Sequence, residues 1–220
     1  MKRALLVTVV ASLVCFAGCD DESTSVDAGG ADAGGSDAGA AATDAGPGAS
    51  DAGPRMLRMF VTSRSFSGDL GGRSGADGLC ELVARDAGLE GRFVAFIAGT
   101  QPGGRYTGHE RVPADNVWYR VDGMPINDSW LTIRFNEPLL VAPNLDERGN
   151  PVPADAFVWT GIGRDGDPAI GEDCASPDFV SWDYDTGNSA FVGRPNDVER
   201  WSSDTDVPCS NEGHLYCFEI

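Results

Sequence analysis

Between Cys174 and Cys209 the chain concentrates side chains able to hold a ligand. Asp178, Asp183, Asp185, Asn188, Asn196, Asp197, Glu199, Asp204 and Asp206 are interleaved with Trp182, Tyr184 and Trp201. Carboxylate and amide oxygens are the ligands that calcium takes, and flat rings beside them supply the apolar face of a sugar site. Trp182, Asp183, Asp185, Asn196, Asp197 and Trp201 are therefore the candidate ligand contacts. Asp183, Asp185 and Asp197 are the candidate calcium ligands, and calcium is the one cofactor the pattern suggests. Asp183-Tyr184-Asp185 opens as an EF-hand loop does, but Gly187 and Asn188 follow in the wrong order, and Arg194 stands where a bidentate Glu is needed. The competing reading is a solvated acidic loop with Trp182 and Trp201 packed beneath it as core.

Catalytic patterns are sparse. His109 and His214 are the only histidines, His109-Glu110 lacks the second histidine of a zinc-protease helix, and no Gly-x-Ser-x-Gly elbow occurs. Carboxylate pairs are too plentiful in so acidic a chain for spacing to nominate a glycosidase pair. With Cys15 in the leader and Cys19 committed elsewhere, four of the six cysteines remain, an even number that in an exported chain points to two disulfides among three pairings. Oxidation of all four leaves no thiol nucleophile. No enzymatic activity is expected.

The elements that must position these residues begin well inside the chain. Lys2 and Arg3 precede an apolar run from Ala4 to Gly18, too short to cross a bilayer but suited to a secretory signal over 1–18. It closes on Phe16-Ala17-Gly18-Cys19, which resembles a bacterial lipobox with Phe in the usual Leu position, so that Cys19 becomes the lipidated N-terminus. Several acyl chains at one residue would hold the protein firmly, since one alone binds only marginally. From Asp20 to Pro54 the chain has eight acidic residues, no basic or aromatic ones and a single large aliphatic, Val26. Asp-Ala-Gly recurs at 27, 32, 37, 44 and 51, periods far too short for a solenoid. Such a segment cannot bury a core, so 19–54 is expected to be a disordered tether, spanning roughly 33 Å root-mean-square as a flexible coil.

Residues 55–220 form the foldable part. The whole chain carries a net charge of −18, and removing the eight acids of the tether from 34 leaves 26 against 14 arginines, or −12 over 166 residues. Nucleic acid is excluded as a partner, because phosphate binding needs a concentrated basic stripe. Arg58 to Ser63 predicts a strand, and glycines at 68, 71 and 72 a turn. Ser74 with Asp77 predicts a capping box opening a helix whose buried face carries Leu79, Leu82 and Val83, flanked by Cys80 and Ala87, with Gly88 as its stop. Phe93 to Ala98 predicts a central strand, and 117–121, 157–160 and 215–218 shorter ones. One helix among irregularly spaced strands implies an α+β domain.

The ordered series Met59-Phe60-Val61-Thr62-Ser63, Gly68-Asp69-Leu70-Gly71-Gly72, Ser74-Gly75-Ala76-Asp77 before Cys80, Trp118-Tyr119-Arg120 with Asp122-Gly123, Asn144-Leu145-Asp146 to Gly149-Asn150-Pro151-Val152, and Val158-Trp159-Thr160-Gly161 resembles a family. It is a domain of unknown function in bacterial surface lipoproteins, whose members include the leptospiral endostatin-like proteins. The likeness covers nearly all of 58–220. It implies an endostatin-like variant of the C-type lectin fold, in which Cys80 pairs with Cys217 and Cys174 with Cys209. Trp159-Thr160-Gly161-Ile162 is similar to the Trp-Ile-Gly-Leu motif at the centre of lectin-like domains. Calcium-dependent lectins carry Glu-Pro-Asn or Gln-Pro-Asp before a later Trp-Asn-Asp. Here Asn196-Asp197 instead follows Arg194-Pro195, and Glu137-Pro138-Leu139 precedes the Trp159 motif.

Two functions follow as expectations. The first is an adhesin-like lipoprotein of the bacterial cell envelope, displaying the domain to a protein or matrix partner, as the resemblance to proteins that bind host matrix and complement components implies. The second is a carbohydrate-binding module, assisted by calcium, that uses the loop between Cys174 and Cys209. A monomer is expected. Asp20 behind the lipidated cysteine resembles the inner-membrane retention signal of enteric bacteria, whereas a long tether favours the outer membrane, which is the localisation expected here.

Overall fold

The computed structural model describes residues 56–178, 180–184 and 186–220. The leader over 1–18, the lipidation candidate Cys19 with the tether over 19–54, Arg55 and the candidate ligand Asp185 lie outside the described residues. In chain order the elements are β1 (Leu57–Val61), α1 (Gly72–Asp86), β2 (Phe93–Ala95), β3 (Gly99–Gln101), β4 (Gly104–Tyr106), a 3-10 turn (His109–Arg111), β5 (Trp118–Arg120), α2 (Trp130–Arg134), β6 (Val158–Trp159), β7 (Ser189–Gly193), β8 (Thr205–Pro208) and β9 (Tyr216–Glu219). The domain is mixed α and β, mostly sheet, and carries two disulfides.

The main sheet runs β2-β9-β1-β5, with β9 antiparallel to both neighbours and β5 parallel to β1. The two-residue period of a strand sends alternate side chains to opposite faces. Leu57, Met59 and Val61 join Val94, Trp118, Tyr216 and Phe218 in one core. Phe60 joins Phe93, Ala95, Leu215 and Cys217 in the other. Both faces are therefore buried, which explains why these strands are apolar almost throughout.

α1 covers the second face through Ala76, Cys80, Val83 and Ala84, spaced as one helical stripe, while Leu79 and Leu82 are only half-buried. The Cys80–Cys217 disulfide, 137 residues apart in sequence, joins the helix to β9. The helix starts at Gly72 rather than Ser74, behind Gly71, and no side chain caps it. Asp77, expected to close a capping box, instead accepts a hydrogen bond from the Ala95 N–H at 2.9 Å and pairs with Arg111. A partner on β2 wins over the local one. The stop is as expected: Gly88 takes φ +74°, its N–H reaches the Arg85 carbonyl, and Leu89 N–H reaches that of Ala84.

The apolar run from Phe93 to Ala98 is buried throughout but does not stay one strand. β2 ends at Ala95; Phe96 N–H then bonds the Tyr216 carbonyl, and Ala98 N–H bonds that of Thr160. The chain thus crosses from the main sheet to the segment leading from β6, and β6 belongs to a second antiparallel sheet ordered β6-β7-β8. At this crossing Gly161 takes φ +61°, and a Cβ there would stand 2.6 Å from the Ala98 carbonyl oxygen and 2.8 Å from the Trp182 ring. No side chain fits. Trp159 Nε1 donates to the Phe66 carbonyl at 2.8 Å, and its ring meets Trp182 edge to face at 6.0 Å. The β3–β4 hairpin and the short α2 have no counterpart among the expected elements.

Candidate ligand-binding site

The Cys174–Cys209 disulfide closes a loop of 35 residues that holds the candidate ligand contacts. Trp182 and Trp201 are both fully buried. Trp182 Nε1 donates to the Ala98 carbonyl at 2.9 Å, and Trp201 Nε1 to that of Glu137 at 3.1 Å. Their faces meet other rings, Trp182 against Trp159 and Trp201 against Phe96 and Tyr216. Neither indole offers a surface to a ligand. Trp182 takes a left-handed φ of 62°, a conformation that costs a bulky residue about 1–2 kcal/mol. Its carbonyl accepts the N–H groups of Leu70 and Gly72, and its own N–H donates to Asp173, so three segments meet at one residue.

The polar candidates are dispersed or committed. Asp183 is exposed, with its backbone bridged to Asp69. Asn196 donates to the Pro153 carbonyl at 2.9 Å and accepts from Asn144 at 3.1 Å. Asp197 accepts from the backbone N–H groups of Glu199 and Arg200, and the Arg200 guanidinium closes on its other oxygen at 2.8 Å. That guanidinium, followed by the two N–H groups, holds the Asp197 carboxyl below its usual value. Arg194, standing where a calcium loop has its acidic ligand, pairs with Asp204 at 2.7 Å. Among the described residues no three His, Cys, Asp or Glu side chains converge as a metal site.

Both histidines have partners in this arrangement. His214 Nδ1 lies 2.6 Å from the Thr62 carbonyl, and its backbone bridges Val158, tying β6 to the C-terminal segment. His109 Nε2 lies 3.2 Å from Thr107 Oγ1 with its ring edge-on to Trp130, and burial, then Arg134, lowers its pKa.

Two features outside the expected loop carry more unspent chemistry. The first is a polar nest where β3 meets the segment before Trp182. Asp173 is 1% exposed; its Oδ2 accepts from Ser181, while Oδ1 has no hydrogen-bond partner among the described residues. Burial raises its pKa, against the hydrogen bonds from Ser181 and Thr100 that oppose the shift. Tyr106 from β4 lies nearby, 4% exposed, its hydroxyl also without a partner among the described residues. Burial pushes the Tyr106 hydroxyl pKa upward too. The second feature is α2, where Ser129 caps the helix by accepting from the Leu131 N–H, and Leu131 and Phe135, one turn apart, are 52% and 55% exposed. The Arg134 guanidinium lies 5.3 Å from the Trp130 ring and 5.4 Å from that of Phe135. Neither feature has a sequence motif; α2 is only five residues long, and the nest is assembled from three distant segments. No protein-family model matches the chain, and no relative is found among curated proteins.

Proposed function

We propose that the chain is a lipid-anchored lipoprotein of the bacterial cell envelope, attached through Cys19 and displaying an endostatin and C-type lectin-like domain that binds a protein or matrix partner. The lectin-like reading is supported by the pairing of Cys80 with Cys217 and of Cys174 with Cys209, which the resemblance implies, and by the place of Trp159-Thr160-Gly161 at the crossing of the two sheets. No catalytic role is assigned to any residue.

The observation that carries protein binding is the apolar face of α2. Leu131 and Phe135 share one side of the helix, and Leu140 farther along is 53% exposed. Large apolar side chains flanked by arginine and aromatic groups are the usual centre of a protein interface. The indoles of the glycan alternative are enclosed, and its Asp197 is held by Arg200. The test is binding of the full chain to purified extracellular matrix proteins and, separately, to a glycan array. Matrix binding that survives chelator and sugars, and falls about tenfold or more in the double variant Leu131→Ser, Phe135→Ser with unchanged melting, is the expected result. Binding to glycans that requires calcium or Asp183 would replace this reading with the carbohydrate module.

A further inference from the structure

The groove between the N-terminus of α1 and the β3–β4 hairpin gathers arginines in a domain of net negative charge. Arg73, Arg92, Arg105 and Arg111 line it, opposed by Asp77 and Glu110. Arg111 is closed onto Asp77, and Arg92 faces Glu81 at 3.8 Å, but Arg73 and Arg105 have no carboxylate partner among the described residues. At its inner end a pocket of about 250 Å³ lies against Gly71, Gly72, Arg73 and Ser74 on the helix side and Thr100, Tyr106 and Ser181 on the other.

Two independent features of the inner pocket favour an oxyanion. α1 is 15 residues long, its first turn has no acidic residue and no side-chain cap, and Arg73 adds positive charge to the positive end of the helix dipole. The Trp182 carbonyl takes the Gly72 N–H, and the next two N–H groups of the turn have no intrahelical acceptor. Tyr106, 4% exposed, lines both the pocket and the outer groove, and its hydroxyl has no partner among the described residues. The Arg73 guanidinium stands 5.4 Å from the Tyr106 ring centroid, so cation and hydroxyl belong to one wall. Asp173 is the opposing charge: it lies behind Ser181 and Thr100, and burial favours its neutral form.

We propose that this pocket binds a phosphate or carboxylate group, held by the Arg73 guanidinium, the main-chain N–H groups of Arg73 and Ser74 and the Tyr106 hydroxyl, the Gly72 N–H being taken by the Trp182 carbonyl. The group can come as a free ion or as the head of a larger acidic molecule lying along Arg105 in the outer groove. The site is separate from the α2 face, so its failure leaves the protein-binding reading untouched.

The test is calorimetric titration of the full chain with inorganic phosphate, acetate and glycerol phosphate, beside thermal unfolding in each. The expected result is saturable binding of at least one of them with a rise in melting temperature. Preference for the ester over free phosphate assigns the outer groove to the rest of the ligand; equal affinity confines recognition to the ion. Arg73→Gln should weaken binding about tenfold or more, the loss of one charge-assisted contact. Tyr106→Phe should weaken it severalfold without lowering the melting temperature of the free protein, because the hydroxyl has no partner among the described residues. Arg164→Gln, an arginine outside this groove, should leave binding unchanged. Absence of saturable binding by every probe at millimolar concentration overturns the proposal, as does equal binding by Arg73→Gln and the parent.

Discussion

Asp173 is a carboxylate enclosed by hydroxyls and apolar rings, and burial raises its pKa above the ordinary 3.8. Folding therefore favours its protonated form. Stability tied to that proton is complete below pH 3.8 and is lost as pH rises through the raised value. Asp122 and Asp197 have the opposite sign: Arg120 and Arg200 lower their pKa values, so their contributions exist above 3.8 and disappear as pH falls. Asp173→Asn should isolate the first effect. Across the window above 3.8 the variant should gain on the parent as pH rises, by at most about 1.4 kcal/mol per pH unit. Chemical denaturation of both proteins across the acid range checks it, and parallel curves would refute it. The burial of Trp182 and Trp201 was one of the two readings open in the sequence, since an indole among acids suits either a sugar platform or a core. Residue type could not decide; their N–H bonds to Ala98 and Glu137, and their ring contacts, come from segments far away in the chain.

At the scale of elements, patterns with a local cause were legible and those with a distant cause were not. The α1 region was readable from its periodicity and from Gly88, and β1 and β9 from their short apolar runs. Phe93 to Ala98 was readable as buried but not as divided, because a continuous apolar run has no alternation to reveal where it changes sheets. The β3–β4 hairpin was hidden by its glycines, and the helix start by Asp77 bonding to β2 and Arg111. The disulfides link segments far apart in sequence. Cys80–Cys217 spans 137 residues between α1 and β9, and Cys174–Cys209 spans 35. By chain entropy alone they contribute about 5 and 4 kcal/mol as upper values, against about 5–15 kcal/mol for a whole domain. Replacing Cys80 and Cys217 together by Ser should lower the denaturant midpoint sharply, and by more than replacing Cys174 with Cys209. Reversal of that order would mean that strain or packing, not loop length, sets their contributions.

For the whole molecule, composition divides the chain more sharply than any local motif. The foldable part keeps 14 arginines for its 26 acids, and some of the described ion pairs join separate segments, as Arg58 with Glu219 and Arg111 with Asp77. The acidic stretch before it contains no basic residue, so charges within it repel one another. A segment of that kind is useful if one end is fixed and the other carries a binding domain away from a surface, which is the arrangement proposed with Cys19 as the fixed end. Cys19→Ala should then release the chain from the membrane fraction and remove the mass of the lipid from its N-terminus, without changing the melting of the domain, because Cys19 takes no part in either disulfide. A variant that stays with the membrane at unchanged mass would remove the anchor from the proposal. With the anchor present, protease added to intact cells decides the membrane. Cleavage between Asp20 and Pro54 that frees the domain places it outside the outer membrane, whereas protection until the envelope is opened favours retention behind Asp20. Only the first outcome lets the α2 face meet an extracellular partner, so localisation and protein binding stand or fall together.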